Sequence, residues 1–390
     1  MTRTQARVAI LTLTQSENYG TVLQAFATRQ LLSRALDGIA EVTLVPTDPL
    51  KVRLRRFLSV MTPRPGSFSL TRASNFLSMR RFMREYGGQR RGFVNASRRS
   101  RVTRLLARNF DAYVTGSDEV WNLAYLGASS IYYLPPELPG PRYSLSTSAN
   151  RLRLDQITSS TWEVVAQSLA RYSLISVRDS FTRSVVERAV GEHSEVVNTL
   201  DPTLIYEFPE LGNARRIIPS NPQGRRVLLM VRDRPIARAL VNELGATHSL
   251  FSGFQRHEGT QFLSADPLAF MRAFEDVDFV VTDFFHGTCL SIRAGKQFLA
   301  FDREPGYMGV ESKIADVTRR LGLDGNYLNL VGTPDREARE DVVRAALKAV
   351  SGVEPLAPLD LALLELERSK SLDYLRSIRE HVRSEIGARI

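Results

Sequence analysis

The sequence has one cysteine, Cys289, in 390 residues. That excludes an internal disulfide framework and fits a reducing cytoplasm. Its five histidines are scattered, with no pair at i and i+4, so no metal-ligand spacing is present and neither a metal nor a cofactor is expected. There is no run of about 18 apolar residues, hence no expected bilayer span. The leading MTRTQARVAILTLT has a short apolar stretch without an A-x-A-like cleavage site and reads as a first strand, not a signal peptide. A helix-turn-helix pattern, an RNP-like motif and a zinc knuckle are all missing, so nucleic acid is not an expected partner.

Acidic residues are almost missing from one window. Residues 51–108 hold 16 Lys or Arg and a single acid, Glu85, a local charge of +15 in a chain of net +10. Apolar residues are interspersed, as in KVRLRRFLSVM (51–61) and NFLSMRRFM (75–83). Such runs are ordinarily solvated helical faces. The sharper reading is attraction to something polyanionic, an acidic membrane face or a phosphate-rich ligand.

What is present is an alternation of strand and helix patterns. RVAILTLT (7–14), EVTLVP (41–46), FDAYVTG (110–116), PRYSLSTSAN (141–150), SLISVRD (173–179) and SEVVNTL (194–200) read as strands. TVLQAFATRQLLSRAL (21–36) has apolar residues at helical spacing, and helices are expected at 162–170 and after Asp179. Residues 207–225, with three prolines and two glycines, look like a linker. The pattern then restarts: strands at 226–232, 248–254, 278–283 and 297–302, helices at 236–245, 268–277 and 288–295, and helical runs at 335–352 and 361–386. The expected fold class is α/β: two doubly wound Rossmann-like domains facing a cleft, at 1–207 and 225–335, with C-terminal helices at 336–390.

Ligands bind beyond the carboxyl ends of parallel strands. Here those ends are Asn18-Tyr19-Gly20, Gly116-Ser117-Asp118, Thr147-Ser148, Ser176-Val177-Arg178-Asp179, Asp201-Pro202-Thr203 and the 282–288 run TDFFHGT. The first two are glycine-containing turns that let backbone approach a ligand, although neither matches G-x-G-x-x-G or Walker A. With Trp121, the residues Asn18, Tyr19, Gly20 and Ser117 form the expected acceptor side. Arg178, at the end of a buried strand, suits bidentate pairing with a carboxylate or phosphate, or a salt bridge to Asp179 or another neighbour. His286 precedes Gly287 and Thr288 at a helix start, where free N–H groups and the helix dipole favour an anion. A bound anion would raise its pKa and let it donate a proton.

In order, NYGTVLQAFATRQLL (18–32), GSDEVWN (116–122), SLSTSAN (144–150), ISVRDSFT (175–182), LDPTLI (200–205), VVTDFFHGTCLSIRAGKQFLAF (280–301) and SKIADVTRRLGL (312–323) resemble the polysaccharide pyruvyl transferase family. The resemblance covers roughly residues 8–323. It implies a fold like the GT-B glycosyltransferases and transfer of the enolpyruvyl unit of phosphoenolpyruvate to a sugar as a cyclic ketal. The acceptor would be a bacterial surface polysaccharide or its lipid-linked precursor. The resemblance also carries over Arg178 and His286 as the donor-binding and catalytic pair, with Gly287, Thr288 and Lys313 beside the donor. Asp118 is the expected base. Phe284-Phe285-His286 stands where some members have Arg-Leu-His, and Lys313, Arg303 or Arg232 is then needed for the missing charge. The location implied is cytoplasmic, peripheral at the inner face of the membrane through 51–108. Two other readings fit the same pattern: a GT-B-like glycosyltransferase using a nucleotide sugar, and a non-catalytic binding protein that keeps the fold.

Overall fold

In the computed structural model the described residues are 5–14, 18–45, 69–87, 99–150, 154, 157–191, 195–220, 222–303, 311–351 and 358–387. Half of the basic window, 51–68 and 88–98, lies outside them.

Long apolar runs without polar alternation belong in strands covered on both faces, and that is where they lie. The N-terminal sheet has β1 (Ala6–Leu11), β2 (Ala40–Leu44), β3 (Ala112–Thr115) and β4 (Arg142–Ser144), all parallel, in the order β2-β1-β3-β4. Single bridges, Tyr143 to Leu174 and Thr147 to Val177, continue it to β5 (Ile175–Val177) and β6 (Val196–Asn198). Period-2 alternation splits these strands between two apolar clusters: Val8, Ile10 and Val114 face the Tyr19–Ala35 helix, while Ala9, Leu11 and Tyr113 face the opposite layer.

The C-terminal sheet is also fully parallel. It holds β7 (Arg226–Met230), β8 (Ser249–Ser252), β9 (Gln261–Phe262), β10 (Phe279–Thr282), β11 (Phe298–Asp302) and β12 (Tyr327–Asn329), ordered β9-β8-β7-β10-β11-β12. Counted within the domain this is 3-2-1-4-5-6, the doubly wound order, whose switch point falls between β7 and β10. Strands β9 and β12 were not expected from the sequence. At two and three residues they are too short to show a period. The two domains are therefore Rossmann-like, as expected.

The segment after residue 335 is divided between the domains. The Asp335–Val350 helix packs on the Arg234–Leu244 helix of the C-terminal domain through Ala338, Val342 and Ala346. The Ala362–Gly387 helix crosses back onto the N-terminal domain. There Tyr374 donates to Ser144 O at 2.7 Å, Ser371 Oγ accepts from Leu200 N at 3.0 Å, and Arg379 donates to Ala35 O at 2.5 Å. Nor is 207–225 a bare tether, because Phe208, Leu211 and Ile218 are buried. One apolar cluster runs from Val22 and Phe26 through Phe270 and Phe274 to Leu375 and Ile378, joining both domains.

Ile378 is fully buried at that joint. Ile378→Ala should lower unfolding stability by about 2–5 kcal/mol, read as a lower denaturant midpoint; an unchanged midpoint would show that the returning helix is not part of the fold's core.

Candidate active site

The strand-to-helix junctions are capped by short polar side chains, which accept hydrogen bonds from otherwise unpaired N–H groups of the first helical turn. Asn18, Asp179, Asp201, Asp233, Asp266 and Ser312 each do this. The Phe285–Arg293 helix is different. Its N-cap is Phe284, which makes no side-chain cap bond. The helix also begins three residues before the expected Thr288, so His286 and Gly287 lie within its first turn. Thr282 Oγ1 instead accepts from Phe284 N at 3.0 Å, and a Cβ on Gly287 would overlap that same oxygen, so glycine is required there.

His286 is 9% exposed and its Nδ1 has no hydrogen-bond partner among the described residues. The ring lies against the other domain: a Cβ on Gly20 would overlap His286 Cγ, Cδ2 and Cβ. The Asn18-Tyr19-Gly20 turn therefore serves as a seat for the histidine. Tyr19 helps to set it, stacking on Phe270 with centroids 4.0 Å apart and donating to Ala265 O at 3.0 Å, both across the domain seam. Burial lowers the His286 pKa. Asp201 and Asp118 pull it up, Arg178 and Lys313 push it down, and the net direction is below the ordinary 6.5.

Arg178 extends from the end of β5 with 2% of its side chain exposed, and its Nη1 donates to Asp201 Oδ2 at 2.9 Å. Its Nε and Nη2 are buried without hydrogen-bond partners among the described residues. Asp179 is not its counter-ion; that carboxylate caps the next helix and accepts from Ser148 Oγ at 2.7 Å. Burial works against the Arg178 charge, but Asp201, Asp118, Asp179 and Glu119 outweigh it and hold the guanidinium firmly protonated. Its Cζ lies 4.4 Å from the Phe285 ring centroid, and Lys313 Nζ lies 5.4 Å from the same ring. Lys313 is paired with Glu119. Burial opposes the Glu119 charge, but Lys313, with Arg178 and His286, draws its carboxyl down to about 2.

Asp118 is buried at φ 78°, with Oδ1 accepting from Glu119 N at 2.9 Å. Among the cations expected to supply a second charge, Lys313 joins the cluster. Arg303 is held by Asp233 and Asp335, and Arg232 lies over Phe284. Some expected site residues are spent on the fold. Trp121 is fully buried, stacked on Tyr133 and bonded to Tyr132 O, so it is a core residue and not a ligand contact. Ser117 is also fully buried, between Gln24 and Thr28. The Thr288 hydroxyl returns to Phe284 O at 3.2 Å. The cluster adds Asp201, Glu119 and Phe285, to which the sequence reading gave no role. Asp201 and Phe285 stand in strand-end runs and Glu119 in the GSDEVWN motif, but no local pattern distinguishes them from their neighbours there.

The outcome is a seam lined from both domains, with a buried arginine, a half-buried lysine, a histidine whose pKa is held below its ordinary value and an uncapped helix start. Such a set can hold a small polyanion and pass a proton to it. Because the folded pKa of His286 lies below its unfolded value, its contribution to stability is complete above pH 6.5 and is lost as pH falls from 6.5 toward the folded value. By NMR titration His286 should protonate below 6.5, and Gly20→Ala, by pushing the ring from its seat, should move it back up toward 6.5. A His286 pKa that is unchanged by the added methyl would contradict this packing.

The comparisons with known proteins agree with this architecture. An S. aureus MnaA–UDP co-structure superposes with a TM-score of 0.54 at 10% identity, covering 97% of this chain and 96% of that one. The UDP-GlcNAc 2-epimerase from Neisseria meningitidis bound to UDP-GlcNAc gives 0.52 at 8% identity, covering 97% of each. The UDP-N-acetylglucosamine 2-epimerase from Rickettsia bellii gives 0.51 at 11%, covering 99% and 100%. At such identities the likeness is one of fold, the GT-B arrangement. No curated protein matches the sequence. The polysaccharide pyruvyl transferase family profile matches residues 18–305, most of the chain and all of the cluster except Lys313, and the chain belongs to that family.

Proposed function

We propose that the protein transfers the enolpyruvyl group of phosphoenolpyruvate to a sugar of a bacterial surface polysaccharide, or of its lipid-linked precursor, and closes it into a cyclic ketal. The observation that carries this reading is the buried Arg178, with two unpartnered guanidinium nitrogens, beside His286 and Lys313. Phosphoenolpyruvate has a carboxylate and a phosphate, and two cations plus an uncapped helix start are what such a dianion needs. The donor would bridge the domains, since Arg178 comes from the N-terminal one and His286 and Lys313 from the C-terminal one.

The chemistry follows from the charges. The bound anion raises the His286 pKa and the imidazole takes up a proton. It delivers that proton to the methylene carbon, which becomes a methyl group, and C2 becomes oxocarbenium-like. A sugar hydroxyl attacks C2 and loses its proton to Asp118. The C2–O bond to phosphate then breaks, and phosphate leaves with the proton from Asp118. A second hydroxyl attacks C2, closes the ring and returns its proton to His286. No metal is required in this sequence of steps.

His286→Gln should reduce ketal formation by about 10²–10⁴-fold, the usual worth of general acid–base assistance, with little change in melting temperature. Turnover within tenfold of wild type would remove His286 from the mechanism. The same samples separate the donor classes: phosphoenolpyruvate should raise the wild-type melting temperature and UDP should not, the reverse favouring a nucleotide-sugar enzyme.

The basic window would keep the enzyme at an anionic membrane that carries the acceptor. Arg81, Arg84, Arg101, Arg104 and Arg108, on its two described helices, are exposed. Among the described residues no helix is long and apolar enough to cross a membrane. Co-sedimentation with phosphatidylserine vesicles should fall as salt rises; binding indifferent to salt and lipid charge would count against this role.

A further inference from the structure

Three consecutive side chains at the start of one helix divide the cleft. His286 lies against Gly20, and the Phe285 ring adjoins Arg178 and Lys313. Phe284 turns the other way, toward the ends of β7 and β8. There its ring meets Phe254, with centroids 4.6 Å apart at 54°, and Arg232, whose Cζ is 4.6 Å from the Phe284 centroid. This is the switch point between β7 and β10, where a doubly wound sheet opens a crevice for ligand.

Phe254 is 38% exposed, a large ring left partly uncovered on the side away from its contact with Phe284. Its position is built. A Cβ on Gly253 would come within 2.9 Å of the Phe270 ring, so glycine is what lets this loop lie close to Phe270. Beside the rings are polar groups in fixed positions. The Asp283 carboxylate accepts from Arg232 N at 2.9 and 3.0 Å, and Arg232 Nη2 donates to Asp283 O at 3.1 Å, holding a half-exposed guanidinium over Phe284.

We propose that Phe254, backed by the buried Phe284, and Arg232 form the platform on which a pyranose ring of the acceptor rests, two residues along the helix start from the proton donor. A pyranose has an apolar C–H face and a rim of hydroxyls. The exposed phenyl ring covers the first, and Arg232 and Asp283 can donate to and accept from the second. The donor half of the seam is built of paired charges and this half of aromatic rings, so the two substrates are separated by chemistry and meet at His286. The inference rests on the pyruvyl-transfer reading for the nature of the acceptor. It replaces the fold-committed Ser117 and Trp121 as the acceptor contact.

Saturation-transfer NMR on the full chain, without donor, with the methyl pyranosides of glucose, galactose and mannose as probes, tests it. At least one should receive saturation at its ring C–H protons. Phe254→Ala should weaken that glycoside about tenfold, near the loss of 1.4 kcal/mol, and Phe254→Trp should retain it. The proposal is overturned if no glycoside binds the wild type, if Phe254→Ala binds as the wild type does, or if UDP displaces the glycoside. The phosphoenolpyruvate-induced melting shift, read on the same two variants, should stay at its wild-type size. If phosphoenolpyruvate fails to stabilise even the wild type, the donor assignment falls while the glycoside result still decides the platform.

Discussion

The buried charge of Arg178 is the constraint around which the rest of the site is arranged. A guanidinium with 2% of its side chain exposed persists only where opposite charge and hydrogen-bond acceptors reach it. Asp201 supplies one contact, and it can do so because its other oxygen is fixed by Thr203 at the start of the following helix turn. Asp118, Asp179 and Glu119 supply field without direct bonds. Two nitrogens are still unmatched. Burying such donors unmatched costs stability, and an anion that bonds to them would recover it.

The histidine is governed by the same field. Burial, Arg178 and Lys313 hold its pKa below the ordinary value against Asp201 and Asp118, and a bound anion would raise it. In the proposed reaction, proton uptake would be tied to donor arrival. Lys313 and Glu119 tighten this arrangement across the domain boundary, since their ion pair joins the helix after β11 to the turn after β3. The seam has its charged working groups at one level and its apolar cement, Tyr19 on Phe270, just beside them.

Most of the fold was legible because parallel strands covered on both faces must be written as unbroken apolar runs, as in VAIL at 8–11 and FVV at 279–281. The Asp and Ser caps mark helix starts in the same plain way. What escaped was short or non-local. Strands β9 and β12 exist through pairing with their neighbours, not through their own pattern. His286 and Arg178 were visible because a strand end is where ligands bind. Trp121 follows a similar strand end but is folded inward by Tyr133 and Tyr172, partners that sequence proximity cannot reveal. Glu119 and Phe285 acquire meaning only when the other domain brings Lys313 and Arg178 to them. Phe254 is in the same position, an unremarkable letter until the end of β8 brings it against Phe284 after β10.

The most direct measurement is a crystal structure of the protein with phosphoenolpyruvate at saturating concentration. The expected result is a donor seated between Arg178 and His286, an anionic oxygen within hydrogen-bond distance of Arg178 Nε or Nη2, and Lys313 turned toward it. A donor bound elsewhere, or a seam still empty with Arg178 unchanged, would contradict the assignment of this buried charge to the donor.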